Sequence, residues 1–345
     1  MATIGQSGKV TLLDIAKATD PNGNIGALAE LLTQTNEILM DMPWYEGNQT
    51  NGHKGIVRTG LPEAVWRQLY QGVPASKSNR AVVEDSCGML EARSEVDKDM
   101  ADLNGNSAAF RLSEARAFIE GINQQMAQAL FYANVTTNPE RFTGFQPRYN
   151  SLTTAVASNV ISAGGDQADN MSVWLVCWGE NTVHGIYPKG QKAGLIHQDL
   201  GEIDAFDSNN NRYRAVADRW QWKCGLHVKD WRSVVRICNI EKADLIAQSG
   251  TQAATASTAL MKLMIRAMSR IPHPGMGRCV FYAPRIVKEF LAVAALEKSN
   301  SAVKIVDAAN QFGTVSPGWT QKETQFFGVP VRTCDQLLHS ESVVS

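Results

Sequence analysis

The stretch from Ser113 to Ala133 reads SEARAFIEGINQQMAQALFYA and is the strongest helix signal in the chain. Its apolar residues recur three or four positions apart, which is the spacing of one face of an α-helix. Ser113 is a suitable N-cap, and an acid at Glu114 favours the positive end of the helix dipole. The pattern predicts a helix from about Glu114 to Ala133, about 30 Å long. Its apolar stripe consists of Leu112, Ala115, Ile119, Ile122, Met126, Ala129, Leu130 and Ala133.

Residues 46–97 differ from the helix because they are rich in glycine and interrupted by charge. A polar, glycine-rich run at Gly47–Gly55 precedes two strand-like stretches, Ile56–Tyr70 and Asn79–Ser86. The sequence Gly-Val-Pro-Ala-Ser at 72–76, between the stretches, is a hairpin signal. A two-stranded sheet without a clean apolar face is marginally stable alone. The pattern therefore predicts an extended loop stabilised by other copies of the chain. The arginines expected to pair with acids of those copies are Arg58, Arg67 and Arg80.

The remainder of the chain alternates strand-like and helical segments. Strand signals lie at 171–178, 202–207, 211–227 and 232–240, with a loop rich in Asp and Asn at 207–211. Later come, in order, a linker-like stretch at 248–258, a helix at 260–271, a strand at 279–282, a helix at 286–295 and a closing strand at 326–332. This order predicts an α+β fold in which helices pack on a mainly antiparallel sheet.

The composition excludes several classes of protein. The 345 residues include 33 Lys and Arg against 34 Asp and Glu, for a formal net charge of −1. A hydrophobic fraction of 44% excludes a wholly disordered chain, and the balanced charge excludes a strongly basic nucleic-acid-binding protein. Charged residues make up only 19%, which favours a protein that covers much of its surface with copies of itself. No run approaches about 18 apolar residues, so no contact with a membrane is predicted.

The sequence carries no recognisable catalytic or ligand-binding motif. It has no Walker A loop, no G-x-G-x-x-G turn and no G-x-S-x-G elbow. The six cysteines lack C-x-x-C spacing and the six histidines lack H-E-x-x-H or H-x-H spacing, which favours structural roles for both. Neighbouring acids such as Glu84 and Asp85 are potential ligands of a hard cation, but such acids more often form a solvated face. We predict no catalytic, cofactor-binding or metal-binding residues, and no cofactor.

Three further stretches, together with the helix from Ser113 to Ala133 and the order of the elements, have a familiar pattern. They are LEARSEVD at 90–97, VVRICNI at 234–240 and GVPVR at 328–332, followed by Asp335. In these features the chain resembles the major capsid proteins of tailed bacteriophages, which have the Hong Kong 97 type of fold, and most of all those of short-tailed phages. The resemblance implies an α+β fold with an N-terminal arm, an extended β-hairpin loop, a long spine helix and a mixed sheet with flanking helices.

The same resemblance implies a domain organisation and a set of partners. The regions would be an N-terminal arm at 1–45, an extended loop at 46–97, a peripheral domain at 98–150 and 326–345, and an axial domain at 151–325. Such a protein is structural, not an enzyme, and self-assembles into hexamers and pentamers of an icosahedral shell enclosing double-stranded phage DNA. The DNA contact would be non-specific. The other implied partners are a scaffolding protein, a portal and a decoration protein. The location would be the virion capsid, assembled in the bacterial host cytoplasm.

The sequence bears on one further detail of this reading. No long, charged helical extension precedes residue 11, so we expect a separate scaffolding protein rather than a fused one. Two other functions also stay open. One is the shell of a cellular nanocompartment with the same fold, which would enclose an enzyme rather than DNA. The other is an uncharacterised α+β hydrolase that uses His227 or His273.

Overall fold

The structure, a computed structural model, describes residues 34–102, 107–207, 209–246, 251–296, 303–307 and 322–345. The helices are α1 (Ile38–Asp41), α2 (Lys98–Asp102), α3 (Ser107–Tyr132), α4 (Lys242–Ile246), α5 (Thr251–Arg270) and α6 (Arg285–Leu296). The strands are β1 (Trp44–Glu46), β2 (Gly52–Gly60), β3 (Asn79–Ser86), β4 (Gly88–Asp97), β5 (Val160–Ser162), β6 (Asn170–Trp178), β7 (Val183–Tyr187), β8 (Ile196–Phe206), β9 (Arg212–Val228), β10 (Val234–Glu241), β11 (Arg278–Ala283), β12 (Val303–Asp307), β13 (Lys322–Phe326) and β14 (Val329–Thr333). In these ranges no helix combines the length and the apolar character needed to cross a bilayer.

The chain divides into two compact units. Of the described residues, the smaller unit comprises those within Met89–Met126 and Gly194–Lys223, and the larger unit comprises those within Thr35–Gly88, Ala127–Ala193 and Cys224–Ser345. In the larger unit the strands follow the order β12-β13-β14-β11-β6-β7-β9, and β10 pairs with both β5 and β6. Parallel pairs such as β11 with β14 occur beside antiparallel pairs such as β11 with β6, so the sheet is mixed. Residues 1–33, most of the predicted arm, lie outside the described residues.

Strand β6 is the centre of the larger unit, because all of its residues are buried. Its apolar run predicts a strand covered on both faces, and alternate side chains indeed meet different partners. Met171, Val173, Leu175 and Cys177 belong to the cluster that includes Leu260, Met264, Val287 and Leu291 of α5 and α6. On the other face, Trp174 packs against Phe131 and Phe145 with ring centroids 6.0 and 5.8 Å away. The core of this unit is therefore a sheet with helices on one face and aromatic residues on the other.

The smaller unit is built around the long hairpin of β8 and β9. The two strands pair antiparallel from Ile196↔Gln221 to Phe206↔Arg212. In the connection, Oδ1 of Asp207 accepts hydrogen bonds from the backbone N–H groups of Asn209 (2.8 Å) and Asn211 (2.7 Å). Asp commonly stabilises turns in this way. The strand-loop-strand pattern predicted for this part of the sequence is confirmed.

The spine helix differs from its prediction at its N-terminal end. α3 begins at Ser107, so Ser113 lies inside the helix and is not its cap. The earlier start adds Phe110, which is buried in a cluster with Val96 and Ala101. The predicted stripe is right for Ile122, Met126, Leu130 and Ala133, which are buried, and wrong for Leu112 and Ile119, which are 59% and 45% exposed.

A different face of the first half of α3 is packed in place of the predicted one. There, the ring of Phe118 stacks on Trp220 with centroids 4.9 Å apart and an interplanar angle of 10°. On the same helix, Arg111 donates hydrogen bonds to Asp218 at 3.1 and 2.7 Å. The periodicity of apolar residues therefore does not decide which face of this half is covered.

Three other predicted elements have different bounds. The first loop strand is Gly52–Gly60 rather than 56–70, because Pro62 lacks an N–H donor and restricts the residue before it. The prediction of a linker at 248–258 is wrong for residues 251–258, because these residues form the first part of α5. Their alanines and glutamine favour a helix. The closing strand is in fact the hairpin β13–β14. Phe327 and Gly328 have φ values of 48° and 82°, as a two-residue hairpin turn of type I′ requires.

Candidate assembly surface

The extended loop contains a two-stranded sheet formed by β2 and β3. Pairing runs from Gly52↔Ser86 to Arg58↔Arg80, and the register shifts before Gly60. Ile56 and Val82 lie directly opposite each other and are 62% and 56% exposed. An apolar cross-strand pair that faces water gains little from burial in its own subunit, so this face suits contact with another protein surface.

The connection between the two strands is exposed throughout residues 61–77. Ser76 donates a hydrogen bond from Oγ to the carbonyl of Glu63 at 3.0 Å, which closes the segment on itself. Its large apolar side chains are nevertheless open to solvent; they are Leu61, Val65, Trp66, Leu69, Tyr70 and Val73. Monomeric proteins rarely expose this many large apolar side chains together, and such patches mark interaction sites. The arginines singled out in the sequence, Arg58, Arg67 and Arg80, are exposed as well.

The base of the hairpin is fixed by a buried charge network. Asp85, at the end of β3, accepts a hydrogen bond from Arg148 Nη2 at 2.6 Å and lies 2.7 Å from Nδ1 of His227. Its Oδ2 also accepts the backbone N–H of Val228 at 3.2 Å. Burial alone would raise the pKa of Asp85, but the hydrogen bonds from His227 and Arg148 outweigh it and hold the pKa below its usual value. The carboxylate therefore stays charged and ties β3 to the end of β9.

A second buried network joins residue 341 to the centre of the sheet. Arg236 on β10 donates a hydrogen bond from Nη2 to Glu341 Oε2 at 2.9 Å, and both side chains are almost fully buried. Glu341 also accepts hydrogen bonds from Tyr132 at 2.6 Å and from Ser172. The guanidinium of Arg236 lies over the ring of Trp174, 5.1 Å from its centroid. These contacts fix the C-terminal residues against β6 and β10 in the larger unit.

Sequence reasoning missed both networks. Arg236 offers one signal, a charged residue inside the apolar run VVRICNI, which requires a buried partner. Asp85 offers none, because beside Glu84 it looks like part of a solvated acidic pair, and the structure corrects this by burying it. The six cysteines, all of them within the described ranges, form no disulfide bond, and four of them are buried.

The two histidines of the hydrolase alternative have different environments. His273 is exposed, whereas His227 is fully buried beside Asp85. In the described part of the chain, Nε2 of His227 has no hydrogen-bond partner, so no serine or cysteine nucleophile is hydrogen-bonded to it. A nucleophile within hydrogen-bond reach of the base is the arrangement that such a hydrolase needs. The geometry of His227 therefore gives no support to this alternative.

Comparison with known proteins adds the family. The family model described as major capsid protein GP7 matches residues 20–345. A near-atomic structure of bacteriophage epsilon15 is 34% identical, with a TM-score of 0.73, and the alignment covers 100% of this chain and 99% of that one. The capsid of bacteriophage JBD30 is 9% identical over 89% of this chain and 92% of that one, with a TM-score of 0.49. An encapsulin of Synechococcus elongatus is 8% identical over 67% and 95%, with a TM-score of 0.42.

Two of these likenesses are too weak to carry an argument about function. The full-length likeness to epsilon15 supports a phage capsid more than the nanocompartment alternative. None of the curated proteins compared with the chain matches it. The family match and the epsilon15 likeness agree along almost the whole sequence. The chain is therefore a structural subunit, not an enzyme, and it assembles with copies of itself into the virion capsid of a tailed phage. It belongs to the major capsid protein GP7 family and has the Hong Kong 97 type of fold.

Proposed function

We propose that the subunits form hexamers and pentamers of an icosahedral shell that encloses double-stranded phage DNA. Assembly takes place in the bacterial host cytoplasm with a scaffolding protein, and the shell carries a portal and a decoration protein. A net charge of −1 supports weak, non-specific contact with the DNA, because tight binding to phosphates needs an excess of positive charge. Particles isolated from infected cells should contain double-stranded DNA, and an enzyme cargo would instead favour the nanocompartment alternative.

We propose the same four regions that the resemblance implies. Residues 1–45 form the N-terminal arm and 46–97 the extended loop. The peripheral domain consists of 98–150 and 326–345, and the axial domain of 151–325. The position of the β2–β3 sheet inside 46–97, and of α3 inside 98–150, supports these assignments.

The extended loop is the proposed contact with neighbouring subunits, and the exposed apolar side chains of residues 61–73 are the observation that carries this proposal. Burying a Leu, Phe or similar side chain contributes about 1.5–3 kcal/mol. Trp66 and Tyr70 are fully exposed and Leu69 is 85% exposed, so none of them contributes this energy within its own subunit. Contact with another copy would supply it.

Limited proteolysis with mass mapping tests the contact. Lys77 in the segment before β3 and Arg80 at the start of β3 are both exposed, and exposed loop tips are cut first by proteases. We expect trypsin to cut isolated subunits early after Lys77 and Arg80, and assembled particles to resist at the same bonds. Equal cleavage rates in the two forms would show that the loop is an ordinary surface loop.

A matched pair of variants gives an independent test. Trp66→Ser removes the largest exposed apolar side chain of the loop, whereas Gln68→Ser changes an exposed polar residue in the same segment. Both variants should have the same urea midpoint of unfolding as the wild type, because neither side chain is packed in the subunit. Only Trp66→Ser should fail to form particles by negative-stain microscopy. Normal particles from Trp66→Ser would contradict the proposed contact.

A further inference from the structure

Three histidines from three different strands meet in the larger unit. His184 on β7 and His227 on β9 are direct partners in the antiparallel pair, and their ring centroids are 5.2 Å apart. His53 on β2 lies with its ring centroid 4.6 Å from that of His227 and 6.0 Å from that of His184. One ring nitrogen of each residue lies within 4.8 Å of one nitrogen of each of the others. The sequence gives no sign of this group, since the three are far apart in the chain.

Two of the ring nitrogens are buried without a partner. Nδ1 of His53 and Nε2 of His227 have no hydrogen bond to any described residue. The His227 side chain is completely buried, so water does not satisfy it from the surface. Because an unsatisfied buried polar atom is costly, native proteins keep few such atoms without a reason. A ligand between the rings would satisfy both atoms.

Two of the rings are held from behind through their Nδ1 atoms. Nδ1 of His227 lies 2.7 Å from a carboxylate oxygen of Asp85, which leaves Nε2 as the nitrogen available to a ligand. Nδ1 of His184 lies 3.4 Å from the carbonyl oxygen of Gly179. An acceptor behind the ring is the usual way in which proteins orient a histidine that binds a metal.

The space around the rings fits the same role. Gly55 adjoins the group, and a Cβ atom there would lie only 2.8 Å from Nε2 of His227. Glycine at this position leaves Nε2 open to a ligand.

We propose that His53, His184 and His227 bind one Zn²⁺ ion in each subunit, with water as the fourth ligand. Three imidazoles suit zinc, whereas Mg²⁺ and Ca²⁺ prefer oxygen ligands. A tetrahedral ion with Zn–N bonds of 2.0–2.1 Å needs nitrogens about 3.4 Å apart. The three ring nitrogens lie within 4.8 Å of one another, and small rotations of the side chains would bring them to this separation. Because His53 belongs to the loop hairpin and the others to the central sheet, the ion would fix β2 to β7 and β9.

Metal binding by the untagged subunit tests the proposal. Purified protein is stripped with chelator and titrated with Zn²⁺ by calorimetry, and then with Co²⁺ by visible absorption spectroscopy. The expected result is about one Zn²⁺ per subunit and the strong absorption of tetrahedral Co²⁺. Zn²⁺ should also raise the thermal unfolding temperature, because a ligand of the folded state stabilises it.

Three variants make the result specific to these residues. His184→Asn and His53→Gln should each weaken Zn²⁺ binding by about tenfold or more and abolish the thermal shift. The half-buried His53 provides the test if the buried His184 variant does not fold. His273→Asn removes an exposed histidine outside the group and should bind like the wild type. No stoichiometric binding by the wild type, or equal binding by all variants, would overturn the proposal.

Discussion

Replacing Glu341 by glutamine tests whether the buried network of Arg236 holds the larger unit together. Glutamine has nearly the same size and can still accept and donate hydrogen bonds, so the change removes mainly the negative charge. The guanidinium of Arg236 is 0% exposed and does not lose its proton at any ordinary pH. In Glu341→Gln it therefore becomes a buried charge without a counter-charge.

The expected loss of stability can be taken from the contacts. Removing one partner of a buried ion pair costs about 3–5 kcal/mol. Arg236 keeps its hydrogen bond to the carbonyl of Tyr149 (2.9 Å) and its position over Trp174, so we expect the lower end, about 3 kcal/mol. The matched control is Glu140→Gln, whose partner Arg141 is exposed and 3.9 Å away. Exposed pairs contribute about 0–1 kcal/mol, so this control should change little.

Urea unfolding of the unassembled subunit, followed by tryptophan fluorescence, measures the difference. With a slope near 3 kcal/mol per molar urea, Glu341→Gln should lower the midpoint by about 1 M. Adding Arg236→Met removes the uncompensated charge, so the double variant should be more stable than the sum of the single changes predicts. The reasoning fails if Glu341→Gln costs no more than Glu140→Gln, or if the two changes at the network are strictly additive.

Three further predictions concern other contacts. Ile122→Asp buries an unpaired carboxylate on α3 and should give insoluble subunits and no particles, whereas Gln124→Ala should stay soluble; equal solubility would mean that the helix faces are assigned wrongly. Asp85→Asn leaves Arg148 without its carboxylate, and the thermal unfolding temperature should fall by several degrees. Burial raises the pKa of Asp335, but the hydrogen bonds from Arg285 and from the backbone N–H of Thr35 outweigh burial and hold the pKa below its usual value of 3.8. The ion pair between Asp335 and Arg285 therefore stabilises the subunit above about pH 3.8, and this stabilisation is lost as the pH falls further. Asp335→Asn should flatten that acid limb of the unfolding midpoint against pH, and an unchanged limb would show that Asp335 does not contribute.

The sequence predicts those elements whose burial is decided locally. Strand β6 is a continuous apolar run and lies where the run predicts it. β3 has the predicted bounds, Asn79–Ser86, because the turn residues Ser76 and Ser78 lie just before it. In the second half of α3, Ile122 and Met126 are buried as their spacing requires.

Other features depend on partners that are distant in the sequence. The first half of α3 packs through Phe118 and Arg111, whose partners on β9 lie about a hundred residues later, so the local stripe points to the wrong face. Arg236 and Glu341 are 105 positions apart, and neither residue indicates the other. The same holds for the three histidines, which form a group only because β7 and β9 pair in one particular register.

The exposed apolar residues connect the fold of one subunit with its role in a shell. Residues 61–73 of the loop and Leu112 and Ile119 of α3 gain little from burial in an isolated copy. Each such side chain contributes about 1.5–3 kcal/mol on burial, and part of this offsets the entropy lost on association. A single contact of the proposed kind would therefore be weak and reversible. In a closed assembly every copy would carry the same contacts, so their effect would be repeated at each interface. We therefore expect Trp66→Ser to affect assembly far more strongly than folding.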